Sequence, residues 1–357
     1  MPLQSGEKQR LHGLDYLRGL TAVGIMIYHY SSWTYGEQAA SSFLGRIGIY
    51  GVAIFYVLSG QALTYMYASK LALEPGSLTR FYIKRFFRIF PLLWLVTFLS
   101  IILSKRIPDV LDLFLNLTGL FGLVKWNTYY ATGAWSIGNE LTFYLVFPLL
   151  IYSFNKSRTG LFIIALSTAL LFIYFAFYKI TPVASLSSQW HLYTNPLNQF
   201  TFFLGGCLIG RFINPASLKA ATSLSMGVLG LAVLLFIPIG PSTTELVTGL
   251  NRLIFTGSCF LICCGFFRTA QAVNLLDKPL ALLGQISYSL YLLHPIVYAF
   301  AKAFFSLLAK LGFTYPVLIA PLLASVASVA ISYLSYHYFE VFFMSLARRR
   351  ADVIANR

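Results

Sequence analysis

Apolar runs long enough to cross hydrocarbon recur along the chain, at 14–31, 43–68, 88–104, 136–154, 160–179, 197–213, 222–239, 248–267, 283–306 and 315–343. A membrane-spanning helix needs about 20 predominantly apolar residues. The pattern predicts an all-α polytopic membrane protein of about ten transmembrane helices, one domain over residues 1–357. Composition agrees: 58% of the residues are hydrophobic and only 10% charged, where a soluble fold of this length would carry about a quarter charged. The segment VLDLFLNLTGLFGLVKW (110–126) is also apolar, but Asp112, Asn116 and two glycines interrupt it. It is expected as an extra re-entrant or interfacial piece. No cleavable leader is expected, because Asp15 and Arg18 break the first apolar run where a signal peptide would be purely hydrophobic.

The net charge of +15 comes from 26 Lys+Arg against 11 Asp+Glu. With the N-terminus cytoplasmic, 18 of the 26 basic residues fall on the inner side, among them Lys8, Arg10, Arg18, the cluster from Lys70 to Arg88, and the tail Arg348–Arg350 with Arg357. That bias favours both termini inside. The basic residues are spread over short loops, which argues against nucleic acid as a partner. Cys207, Cys259, Cys263 and Cys264 lie inside apolar runs without metal-ligand spacing, so buried thiols and no metal are expected.

Four segments carry polar groups where hydrocarbon penalises them. In LHGLDYLRGLTAVGIMIYHY (11–30), Arg18 and His29 are eleven residues apart, three helical turns and a small remainder, so they share a face about 16 Å apart in height. Taken singly, Arg18 reads as a snorkelling interfacial residue and His29 as an interhelical hydrogen-bond partner. RFYIKRFFRIFP (80–91) opens the third span. Arg85 and Arg88 point the same way, and Pro91 suits the first turn of a helix. Two guanidiniums at a helix N-terminus favour phosphate, although topology accounts for part of the cluster. WSIGNELTFYLVFP (135–148) buries Glu140 one turn before Tyr144, either as an ion-pair partner of an arginine elsewhere or as a catalytic group. ISYSLYLLHP (286–295) is a polar face in which His294 either lines a cavity or satisfies the carbonyl freed by Pro295, the second reading being favoured. Ser59-Gly60 reads as a small-residue packing site, and Glu340 as interfacial.

Taken in order, LDYLRGL…H, IFYVLSG (54–60), RFFRIFP (85–91), WSIGNELTFYLVFP, FFLGGCLIG (202–210) and ISYSLYLLHP resemble the acyltransferase-3 family of integral-membrane, acyl-CoA-dependent O-acyltransferases, over nearly the whole chain. The resemblance implies ten helices, an acyl donor such as acetyl-CoA arriving from the cytoplasm, and transfer to a hydroxyl, usually of a saccharide, on the outer side of a bacterial inner membrane. Carried over by position, His29 would be catalytic with Arg18 beside it. Arg85 and Arg88 would hold the acyl-CoA phosphates, and Glu140 would be the acidic residue of the fourth span. Lys84 stands where the family often has arginine and keeps the charge. Gln61 replaces an aromatic, and Glu340 lacks the Arg-Pro that usually follows, which leaves those two roles open. Many relatives carry a fused extracytoplasmic hydrolase-like domain, whereas here about a dozen residues follow the last span. Direct transfer to the acceptor, or through a separate extracytoplasmic transferase, is therefore expected. The alternatives are a lipid-linked or small-molecule hydroxyl as acceptor and, from another class, a transporter or flippase. The transporter would call for inverted repeats, which the sequence does not display.

Overall fold

A computed structural model describes residues 11–268 and 274–355; Lys8, Arg10 and Arg357 lie outside the described residues. Among those described there are helices and no strands. In order they are α1 (His12–Tyr35), α2 (Phe43–Tyr67), α3 (Pro75–Ser104), α4 (Val110–Thr118), α5 (Phe121–Val124), α6 (Ala134–Lys156), α7 (Arg158–Tyr174), α8 (Trp190–Tyr193), α9 (Pro196–Phe212), α10 (Ala220–Phe236), α11 (Thr243–Leu246), α12 (Gly249–Gly265), α13 (Asn274–Lys310), α14 (Ile319–Leu334) and α15 (Val341–Ala355). A π-helical stretch, Phe175–Lys179, prolongs α7, and another, Ser335–Glu340, joins α14 to α15 in one continuous rod.

Every predicted apolar run coincides with a helix. Among the described residues six helices are long and apolar enough to cross a membrane, and α10 and α12 are shorter apolar helices. The opening helix α1 is not one of the six, because Asp15, Arg18 and His29 dilute its apolar character. Large side chains such as Phe162, Leu170, Leu224, Phe300 and Val326 stay exposed on the outside of the bundle. A surface of that kind suits lipid rather than water.

Two helix pairs approach closely through glycine. A Cβ on Gly19 of α1 would stand 2.7 Å from the Gly284 nitrogen of α13, and one on Gly60 of α2 would stand 2.8 Å from the Cys207 nitrogen of α9. Backbones this near gain dispersion contacts that a larger side chain would forbid. Helix ends are tied by specific bonds. The Arg46 guanidinium at the start of α2 donates to Leu234 O (2.7 Å) and Ile237 O (2.8 Å) at the end of α10. Those carbonyls have no partner within their own helix. Asn155 at the end of α6 donates to Ala68 O at the end of α2 (2.9 Å), and Tyr16 near the start of α1 donates to Asp277 near the start of α13.

Segment 110–126 folds as a helical hairpin. The chain reverses at Gly119, whose φ of 76° is open to glycine and costly for other residues. Asp112 and Asn116, the residues that interrupt the apolar run, close the hairpin: Lys125 pairs with Asp112 at 3.0 Å, and Asn116 Nδ2 donates to Thr128 O at 2.7 Å. Its tip packs on Phe90 of α3 and Gly138 of α6.

The expected start of the third span is overturned. α3 does not begin at residue 88 but at Pro75, which occupies its first turn. Arg85 and Arg88 are therefore interior, Pro91 lies mid-helix, and no helix N-terminus stands beside the arginines. The polar stretch before residue 88 continues the helix because Phe81 buries against Tyr67 and Phe147 while the arginines face inward.

Candidate active site

A cavity of about 320 Å³ lies between α1, α2, α3, α6 and α13. Arg18, Arg85, Arg88 and Glu140 all line it, so four of the six expected site residues converge. Lys84 is exposed on α3 and does not line it. His29 does not line it either. On α2 the lining runs from Val52 to Tyr67, fifteen residues or about 22 Å of helix, so the cavity is elongated along the bundle.

The three guanidiniums are not equivalent. Arg18 is paired one turn back with Asp15 (3.1 Å). Arg88 is paired with Glu340 (2.5 Å), which is 3% exposed and also accepts from Ser289. Glu340 is thus no interfacial residue: the π-helical stretch carries it into the bundle against Arg88. Arg85 sits 5.9 Å from the Tyr144 ring, no described carboxylate pairs with it, and its Nε is buried without a partner. It is the group in this cavity with most to gain from an anion.

Glu140 meets neither an arginine nor an imidazole within bonding distance. Ser59 Oγ donates to it at 2.8 Å, and Tyr144 donates one turn along α6. Ser59 also lies 2.9 Å from the Tyr144 hydroxyl, which closes a three-membered network. Ser59 was legible only as half of a packing pair, and Gly60 does perform that role against α9.

The far end of the cavity is walled by Phe55 and Tyr291, whose rings meet edge to face at 5.7 Å. The Tyr291 hydroxyl is anchored to Gly133 O (3.1 Å) and Ser136 Oγ (2.8 Å). Beyond this wall His29 Nδ1 lies 2.8 Å from His294 Nε2. The two rings are within 13° of parallel with centroids 5.1 Å apart, a separation too wide for face stacking when the nitrogens are 2.8 Å apart, so they meet edge to edge. Trp33, 37% exposed, lies parallel to His29 at 5.0 Å and is also near His294, at 6.2 Å. The His294 ring turns back onto its own helix beside Pro295, toward the carbonyls of Leu290 and Tyr291, the latter being the one Pro295 frees. Its Nδ1 faces Leu290 O at 2.8 Å, and Tyr30 OH donates to its own carbonyl (2.8 Å).

Helix register explains the encounter. α1 and α13 run parallel and touch at Gly19 and Gly284. His29 and His294 each lie ten residues further along, so the two imidazoles arrive at one height.

A polytopic helical bundle with an arginine-lined internal cavity and an imidazole pair beyond it is the arrangement these residues define. The chain belongs to the acyltransferase-3 family: the family model described as acyltransferase domain matches residues 11–337. It is similar to O-acetyltransferase OatA of Staphylococcus aureus strain NCTC 8325 / PS 47, 27% identical over 329 residues that cover 83% of this chain and 52% of the relative. It is also similar to the putative O-acetyltransferase SACOL0978 of S. aureus strain COL, 24% identical over 330 residues covering 82% and 51%. The chain spans about half the length of these curated relatives. No solved structure matches it.

Proposed function

We propose that this protein is a membrane O-acyltransferase that takes an acyl group, in the simplest case acetyl, from acyl-CoA on the cytoplasmic side and delivers it to a hydroxyl of an exported or cell-surface saccharide. The observation that carries the reading is the cavity in which Arg85, free of any described carboxylate, converges with Arg18 and Arg88. Acyl-CoA is a polyanion with a neutral thioester end, and guanidinium forks match its phosphates. The named acetyl transfer of the relatives supports the acetyl donor.

Helix ends support the direction. The end of the bundle where α2, α6 and α9 finish holds Lys70, Arg80, Lys84, Lys156, Arg158, Arg211 and Lys219, and a basic face belongs in the cytoplasm. With ten crossings, Arg18, Arg85 and Arg88 are then at the cytoplasmic mouth and His29 in the outer half. The plasma membrane of a bacterium is the setting that fits.

In the reaction, the acyl end of the donor passes Phe55 and Tyr291 toward His29. His29 Nε2 takes the proton of the acceptor hydroxyl, and the oxygen attacks the thioester carbonyl. The C–S bond then breaks, and the CoA thiolate recovers the proton from His29. The new ester leaves on the acceptor. Glu140, held by Ser59 and Tyr144, sets the local charge of the cavity.

Purified protein in lipid nanodiscs with radiolabelled acetyl-CoA and an oligosaccharide acceptor tests this reading. Label should pass to the acceptor in the wild type and not in His29→Ala, with both forms equally well inserted. Undiminished transfer by His29→Ala would remove the assignment.

A further inference from the structure

The imidazole pair beyond the cavity has a polarity that the hydrogen bonds determine. A carbonyl oxygen only accepts, so at 2.8 Å from Leu290 O the Nδ1 of His294 carries a proton. His294 is 1% exposed, and no described carboxylate is bonded to it. In its neutral form the remaining nitrogen, Nε2, is then a bare acceptor. That nitrogen faces His29 Nδ1 at 2.8 Å, edge to edge, so the shared proton sits on His29 Nδ1. One bare nitrogen is left at the far end of the chain of bonds, His29 Nε2.

We infer that His294 is a positioning residue, which fixes His29 in the tautomer whose Nε2 lone pair is free to accept a proton, with the Leu290 carbonyl as the anchor of the relay. Without His294, nothing described bonds His29 Nδ1, and a free neutral imidazole divides between two tautomers and rotates about its side-chain bonds. With it, the ring is held by one directed bond and by the parallel Trp33 indole. When His29 Nε2 takes up a proton, the new imidazolium keeps its Nδ1–H bond to His294 Nε2, now as a charge-assisted donor. The bond therefore strengthens at the moment charge appears and returns to its former state when the proton leaves to the thiolate. No atom of His294 changes bonding partner, and no further reactant is needed. An orienting partner behind a catalytic imidazole is commonly a carboxylate; here a second imidazole, itself oriented by backbone, occupies that place.

The inference rests on the reading of His29 as the base, and two measurements keep the two apart. The chain has five histidines. ¹⁵N spectroscopy of histidine-labelled full-length protein in nanodiscs, assigned with single His→Gln variants, should show protonated Nδ1 and bare Nε2 on both His29 and His294. A bare Nδ1 on either ring overturns the relay. In acyl transfer, His294→Leu should lower kcat on the order of 10²-fold while leaving KM for acetyl-CoA within about threefold of wild type. His294→Gln, whose Oε1 accepts from His29 Nδ1, should recover activity to within about tenfold of wild type. Full kcat in His294→Leu alongside an inactive His29→Ala would overturn the inference and spare the base; an active His29→Ala would overturn the base itself. Should His294→Leu fail to insert, the wild-type spectrum still decides.

Discussion

Arg85 and Arg88 stand three residues apart on α3 and line one cavity, yet Arg88 is bound to Glu340 at 2.5 Å while Arg85 keeps a buried Nε without a partner. The same motif thus holds two different groups. Arg85→Ala should raise the dissociation constant for acetyl-CoA about tenfold or more, the worth of a charge-assisted bond, with thermal stability near wild type. Calorimetric titration of CoA against nanodisc-embedded protein measures it, and unchanged affinity would contradict the assignment.

Arg88→Ala should instead act on the fold. It leaves Glu340 buried beside Ser289 with its counter-ion gone, a loss on the order of 2–3 kcal/mol. The second change Glu340→Gln should restore most of that loss, because a neutral amide needs no counter-ion. Thermal unfolding of the single and double variants forms the cycle, and additive losses would show that the pair does not interact.

Glu140 is the negative group of a cavity proposed to take a polyanion. Glu140→Gln should tighten CoA binding a few-fold by removing like charge. If Glu140 also shapes the site for transfer through Ser59 and Tyr144, kcat falls at the same time. Weaker CoA binding in this variant would mean that the carboxylate positions an arginine rather than opposing the ligand.

Phe55 and Tyr291 separate the cavity from His29. Phe55→Ala enlarges the passage by most of an aromatic ring, so longer acyl donors should gain relative to acetyl. The expected result is a rise of about tenfold in the kcat/KM ratio of butyryl-CoA to acetyl-CoA, in line with the discrimination a shaped apolar wall provides. An unaltered ratio would place the acyl path elsewhere.

Much of this was legible in the sequence, and the part that was not has a physical cause. Every apolar run became a helix, and the shared face of Arg18 and His29 followed from helical geometry alone. Asp112, Asn116 and the glycines marked 110–126 as something other than a simple span, and they close its hairpin. The start of α3 was misplaced because hydropathy reads the onset of apolar character, whereas Pro75 and the burial of Phe81 set the onset of the helix. Glu340 was read as interfacial because it lies near the inner end of the last span, and nothing local announces the π-helical stretch that turns it against Arg88. The backbone side of His294 was legible locally, but its second partner, His29, is 265 positions away and is brought near only by the packing of α1 on α13. Local rules found the groups; tertiary register decided which of them meet.

The contact of Gly19 with Gly284 lies about 15 Å from the imidazoles, ten residues down each helix. It acts as the fulcrum of a lever. A tilt of about 4° between the rods would swing their far ends apart by about 1 Å, enough to stretch a 2.8 Å bond beyond hydrogen-bonding range. A single methyl group added at Gly19, remote from every reacting atom, should therefore silence the chemistry while leaving the donor cavity furnished, so two glycines hold the tolerance of the whole machine.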